Sequence, residues 1–253
     1  MGIDLQKASV MKRVAAWLLD IMLLCVATVG FACLLSWIFG YSGYNDALEA
    51  GYDRYETKYG VVFNIGQEEY ESMTADEKAL YDKAYDELIH DEEVLYNYNM
   101  VVNLSLLMTT FGILLSVLLL EFVVPLILKN GQTVGKKCFS MGLVRNDGVK
   151  INTMQLFART FLGKFTIETM IPVYIVMMIF WGLLDVTGTL VLIVLAVVQF
   201  ICVTVTRTNS AIHDLIAGTV AVDLVSQKIF DSTEELIEYT KRIHAERAAR
   251  EDY

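Results

Sequence analysis

The chain has 253 residues, 55 % of them hydrophobic, with two prolines, a formal net charge of −10 and a mean hydropathy of +0.47. That length suffices for one or two domains, and the composition is too apolar for an ordinary soluble one. Spans of about 20 residues with few charges mark an integral membrane protein.

Residues 1–39 read as an interfacial N-terminus followed by a first transmembrane helix. Ile3, Val10, Val14 and Trp17 fall roughly on one helical face, and Val14 to Phe39 is apolar apart from Asp20. The span exceeds a signal peptide in length and has no small-residue cleavage site before a soluble domain, so a retained helix is expected. Residues 40–99 form an insertion with 15 acids against four bases and ten of the 13 tyrosines. Thr74 with Glu77 is a capping box. Leu80, Ala84 and Leu88 continue it as a stripe, so a helix is expected from about Ala75, either stopping short of the second span or running straight into it. The first half of the insertion, YSGYNDALEAGYDRYETKYG, reads as less regular. The second span covers residues 100–128, apolar apart from Glu121 and a few small polar side chains.

Residues 129–168 open with GQTVGKK and continue through CFSMGLVRNDGVKIN, which reads as a β-hairpin turning at Asn146-Asp147-Gly148. MQLFARTFLGKF follows as an amphipathic interfacial segment, with Arg159 and Lys164 opposite Leu156, Phe157, Phe161 and Phe165. Residues 169–206 form a tight hairpin of two further transmembrane helices. In residues 207–225, VAVDLV reads as a short strand that pairs with the hairpin around Asp147, and His213 as an ordinary surface histidine. Ser232 and Glu235 form a second capping box, opening a charged helix in the tail, residues 226–253, that reaches about Ala249.

Lys7, Lys12, Arg13, Lys129, Lys136, Lys137, Arg145, Lys150, Arg159 and Lys164 cluster before span one and between spans two and three. Basic residues remain on the cytoplasmic side, so both termini are expected there, in a bacterial cell membrane, with the acidic insertion outside. The expected fold class is thus an all-α membrane protein: four transmembrane helices, an acidic helical outer insertion and a small cytoplasmic β-hairpin cap. Cys25, Cys33, Cys138 and Cys202 have neither metal-ligand spacing nor a place in the outer loop, and read as packing residues.

GQTVGKK invites a nucleotide-binding reading, but a phosphate loop needs G-x-x-x-x-G-K-[ST] between a strand and a helix. Here the glycines are one residue too close, Lys137 replaces the hydroxyl residue, and a membrane span precedes the loop. A glycine-hinged turn with lysines toward anionic headgroups is expected instead. Gly131-Gln-Thr-Val-Gly135-Lys136, followed by an Asp-Gly turn and a segment carrying Arg159, resembles the middle signature of the RDD family of bacterial membrane proteins. Lys12-Arg13-Val-Ala-Ala-Trp-Leu-Leu-Asp20 resembles that family's opening motif, and His213-Asp214-Leu-Ile-Ala-Gly218-Thr219 its closing one. Val134 stands where the family more often has proline. The resemblance implies a transport role, with cation/proton exchange in some members, and marks Arg13, Asp20, Gly131, Gly135, Lys136, Arg159 and Asp214 as motif positions.

The residues themselves point to the charges inside the membrane. A carboxylate near a helix centre costs roughly 2.5–3.5 kcal/mol to insert and needs a partner. Asp20 lies two turns, or about 10 Å, beyond Arg13, and Glu121 is expected at a similar depth. If their helices touch, the two could share a proton or a monovalent cation. The competing reading pairs Asp20 with Arg13, Arg159 or Arg207 as a fixed structural tie, and makes Glu121 a neutral acid bonded to backbone. For Asp214 that reading is a cap or a salt bridge. No nucleophile–base pair or cysteine–histidine cluster suggests an enzyme, and neither a cofactor, a nucleotide nor a nucleic acid is expected. The expected partners are the lipid bilayer, protons and monovalent cations, with a homo-oligomer or a second membrane protein. The alternative function is a non-transporting accessory subunit that binds through the insertion and tail.

Overall fold

The computed structural model describes residues 5–206 and 208–251. Ile3 and Arg207 therefore lie outside the described residues. In chain order the helices are α1 (Val10–Phe39), α2 (Tyr41–Tyr59), α3 (Gln67–Ser72), α4 (Ala75–Ile89), α5 (Glu92–Leu128) and α6 (Val134–Cys138). They continue with α7 (Thr153–Phe180), α8 (Val186–Val205), α9 (Ile212–Ala217) and α10 (Thr233–Glu251), with strands β1 (Met141–Arg145) and β2 (Thr219–Asp223). α1, α5, α7 and α8 are long and apolar enough to cross a membrane. Their flanks stay largely open, with Trp17, Val26, Phe180, Val194 and Phe200 all exposed as lipid-facing side chains must be.

Residues 28–113 make one compact unit. Contrary to the expected irregular stretch, Tyr41–Tyr59 is helical from end to end, bounded by left-handed glycines at Gly40 and Gly60. Its Leu48 packs with Leu88 and Val94, and Tyr52, Tyr55 and Phe63 close around them. The Thr74–Glu77 capping box forms as expected. α4 stops short of the second span. Asp91 accepts the backbone N–H groups of Glu93 and Val94, which ends one helix and starts the next. Arg54 bridges to Asp91 and Lys58 to Glu87, fastening α2 to α4 and to the start of α5.

The other unit joins the first 27 residues to residues 114–253. Its sheet is β1 antiparallel to β2, with Met141 opposite Asp223 and Arg145 opposite Thr219. The long-range pairing thus forms as expected. The second arm of the hairpin does not become a strand: the turn closes through Gly148 N–H to Arg145, and only a Val144–Lys150 bridge follows. Lys7 pairs along the free side of β2, and Phe230 accepts the Lys150 N–H on the other side, so both edges of this small sheet are covered. Phe230 is buried, which ties the tail to the sheet. Ser232 receives the Glu235 N–H, but Glu235 returns to Asp231, leaving half of the expected capping box.

The amphipathic segment expected at the interface merges with the third span: α7 runs unbroken from Thr153 to Phe180. Two stretches are wound as π-helix, Leu118–Val123 within α5 and Ala158–Met170 within α7. Each precedes one of the chain's two prolines, Pro125 and Pro172. A proline has no N–H for the carbonyl four residues back. In α5 that carbonyl belongs to Glu121, and the Thr160 hydroxyl from α7 donates to it at 2.9 Å. A π turn at such a point accommodates the missing bond and is frequent where function concentrates.

Candidate functional site

Asp20, Glu121, Lys136, Arg159, Lys164, Glu168 and Asp214 all lie in the unit that contains the sheet. Asp20, in α1, is held by the loop that raised the nucleotide question. Gly135 N–H donates to Asp20 Oδ1 at 2.8 Å, the Thr133 hydroxyl to Oδ2 at 2.5 Å, and Lys136 Nζ lies 3.8 Å from Oδ2. Thr133 also caps α6, and its oxygen accepts from Lys136 Nζ at 3.1 Å. The glycines follow from this geometry. A side chain at Gly135 would run into the Ala16 carbonyl and the Asp20 carboxylate, while Gly131 is left-handed and pressed against Leu143 and Ile151. Lys136 is buried rather than turned toward headgroups; Lys137 is the exposed lysine of the pair. Burial, then the Lys164 and Arg159 charges, draw the Lys136 ammonium down to about 8, against the pull of Glu121 and Asp20.

Glu121 does not take a backbone partner as a neutral acid. Lys164 Nζ from α7 stands 2.5 Å from its Oε2, an ion pair without the angles of a hydrogen bond. Asp20 and Glu121 therefore take different cationic partners, with Lys136 feeling the field of both. Arg159, expected as a headgroup contact or the partner of a carboxylate, is 2 % exposed and is the latter: its Nε meets Asp214 Oδ1 at 2.9 Å. Asp214 also accepts the Thr219 hydroxyl at 3.0 Å. Burial raises its carboxyl, but the Arg159 guanidinium and then His213 override that and hold it well below the usual carboxylate range. Arg13 pairs with none of these carboxylates. Its guanidinium donates to the carbonyls of Ala8, Asn209, Thr208 and Ala221, so it clasps the N-terminal segment, the stretch after α8 and β2.

His213 is buried, not a surface residue. Its ring Nδ1 lies 2.7 Å from Glu168 Oε2 and its backbone N–H donates to Oε1 at 3.0 Å. Gln199 of α8 donates to the same Glu168 oxygen and receives the Ile212 N–H, so α7, α8 and α9 meet at this point. Burial and Arg159 lower His213 below its ordinary 6.5, outweighing the Asp214 and Glu168 carboxylates. Thr133, Glu168 and Gln199 escaped the sequence reading. The spacing Glu-x-x-x-Pro, found at Glu121–Pro125 and again at Glu168–Pro172, is the signal that would have singled out Glu168.

Among the described residues no group of three or more His, Cys, Asp or Glu side chains is placed to hold a metal ion, and the four cysteines are free. Four apolar spans around compensated buried charges define a multi-pass membrane protein. The model of the RDD family matches residues 7–218, most of the chain, and the chain belongs to that family. No curated protein and no solved structure matches it.

Proposed function

We propose that the protein exchanges a monovalent cation for a proton, with Asp20 as the binding carboxylate, rather than catalysing a reaction. The observation that carries this reading is the grip on Asp20: a span-one carboxylate held by a hydroxyl, a backbone N–H and an ammonium from a single loop. Four carboxylates, Asp20, Glu121, Glu168 and Asp214, stand against four cations, Arg13, Lys136, Arg159 and Lys164. A cation enters such a balanced, poorly solvated network only as another positive charge leaves, and a proton is the charge that leaves without moving a helix. Both termini are assigned to the cytoplasmic side of a cell membrane on the distribution of lysine and arginine. Four spans are few for a transporter, which favours a homo-oligomer. Proteoliposomes carrying a pH gradient test the reading, with Na⁺, Li⁺ and K⁺ compared for wild type and Asp20→Asn. Exchange in wild type that disappears in a folded Asp20→Asn protein supports it, and no exchange in wild type overturns it.

A second reading, an accessory subunit that holds another membrane protein, draws on the insertion. Leu80, Tyr85, Ile89, Leu95 and Tyr96 are all exposed there, a composition suited to protein recognition. Deleting residues 41–90 would lower the exchange rate if the insertion only gathers cations, and abolish co-purification of a partner if it recognises one.

A further inference from the structure

We propose that Thr133 is a direct ligand of the transported ion, and that in this structure the Lys136 ammonium occupies the ion's place. This rests on the exchange reading and supplies what that reading lacks: a named oxygen set and a resident competitor. A hydroxyl has one proton to donate. The Thr133 hydroxyl stands 2.5 Å from Asp20 Oδ2, so its proton is committed to the carboxylate. One of its lone pairs accepts the Lys136 backbone N–H at 3.3 Å, and the other faces Lys136 Nζ, 3.1 Å away, a group that can only donate. Thr133 Oγ1 and Asp20 Oδ2 thus converge on one positively charged nitrogen, with Thr133 and Lys136 buried and Asp20 half-buried. Gly135 N–H occupies the other carboxylate oxygen and keeps it out of the way.

An ammonium and an alkali ion are both small monovalent cations that select oxygen ligands, and each can stand where the other stands. When the Lys136 head withdraws, a single negative charge remains on Asp20, which matches one monovalent ion and not a divalent one. Thr133 therefore replaces part of the ion's hydration shell, and its oxygen governs which alkali ion fits.

Equilibrium binding of radiolabelled Na⁺ to the purified full-length protein in detergent tests this apart from flux. Li⁺, K⁺, Mg²⁺ and Ca²⁺ serve as competitors. Thr133→Val is expected to weaken Na⁺ binding about tenfold or more, the effect of losing one charge-assisted oxygen contact. Thr133→Ser, which restores the oxygen, is expected to recover the affinity with an altered Li⁺/Na⁺/K⁺ ratio. Loss of the α6 cap alone would not reorder the ions. Lys136→Met keeps Thr133 and its cap, and is expected to tighten Na⁺ binding by removing the competitor. Wild-type affinity in Thr133→Val, no gain in Lys136→Met, or stronger competition by Mg²⁺ or Ca²⁺ than by Li⁺ overturns the proposal. If exchange in proteoliposomes persists under any of those results, only this inference fails. If wild type neither binds nor exchanges, both fail.

Discussion

Arg159 and Asp214 are almost wholly enclosed, and each is the other's compensation. Removing one partner of such a pair strands a buried charge, at about 3–5 kcal/mol, whereas replacing both with apolar groups of similar size is often neutral. Arg159→Leu and Asp214→Leu are therefore each expected to lower the melting temperature strongly in detergent. The double variant is expected to recover much of the loss, and a double-mutant cycle measures how much. Asp20, Arg13 and Asp214 were legible in the sequence because charges stand out against apolar surroundings. Their partners were so only in part: Arg159 and Lys136 stand out as motif positions, but nothing in the sequence assigns them to Asp214 and Asp20. Arg13 bonds to carbonyls, which no side-chain pattern announces, and Thr133 looks like one polar residue in a glycine-rich turn. Glu168 sat at the edge of a span and passed for part of the basic loop, although its spacing to Pro172 repeats that of Glu121 to Pro125.

The contact between α7 and α9 depends on a missing side chain. A Cβ on Gly163 would meet His213 Cβ at 2.5 Å. Backbone at this position cannot yield easily, so Gly163→Ala is expected to cost about 1–3 kcal/mol and to expose the α9 amides to hydrogen exchange. The same helix is sensitive to acid. His213 in the folded protein lies below its ordinary 6.5, so the folded state binds fewer protons than the unfolded one. Its contribution is complete above pH 6.5 and declines as the pH falls through that value toward the folded one. Exchange protection of residues 212–217 is expected to drop over that window, and His213→Asn to flatten the dependence; unchanged profiles in both proteins would contradict it. Sequence periodicity found α4, whose stripe is clean, and missed α2. There tyrosines, glycines and acids alternate without an apolar face wide enough to notice, and only packing against Leu88 and Val94 defines the buried side.

At the scale of the molecule, the residues after the fourth span complete what precedes them. They supply Asp214 to Arg159, carbonyls to Arg13, β2 to β1 and Phe230 to Lys150. A chain stopped at Val205 retains all four apolar helices. It is nonetheless expected to disappear in a pulse-chase experiment while the full chain persists, because Arg159 is left in a span without its counter-charge. The four spans and their order were legible from hydropathy alone. The π-helical registers of α5 and α7 were not, because they arise from proline placement and from contacts between helices rather than from composition.

The separation of these partners along the chain has a consequence for biogenesis. Translation delivers Asp20 113 residues before Thr133, and Arg159 55 residues before Asp214. Each charge therefore leaves the ribosome long before the group that neutralises it exists. Spans one and three are therefore expected to wait beside the insertion machinery, near water, rather than partition into lipid as they emerge. Release of span one then awaits the loop at Thr133 to Lys136, and release of span three awaits the segment that begins at Ala211.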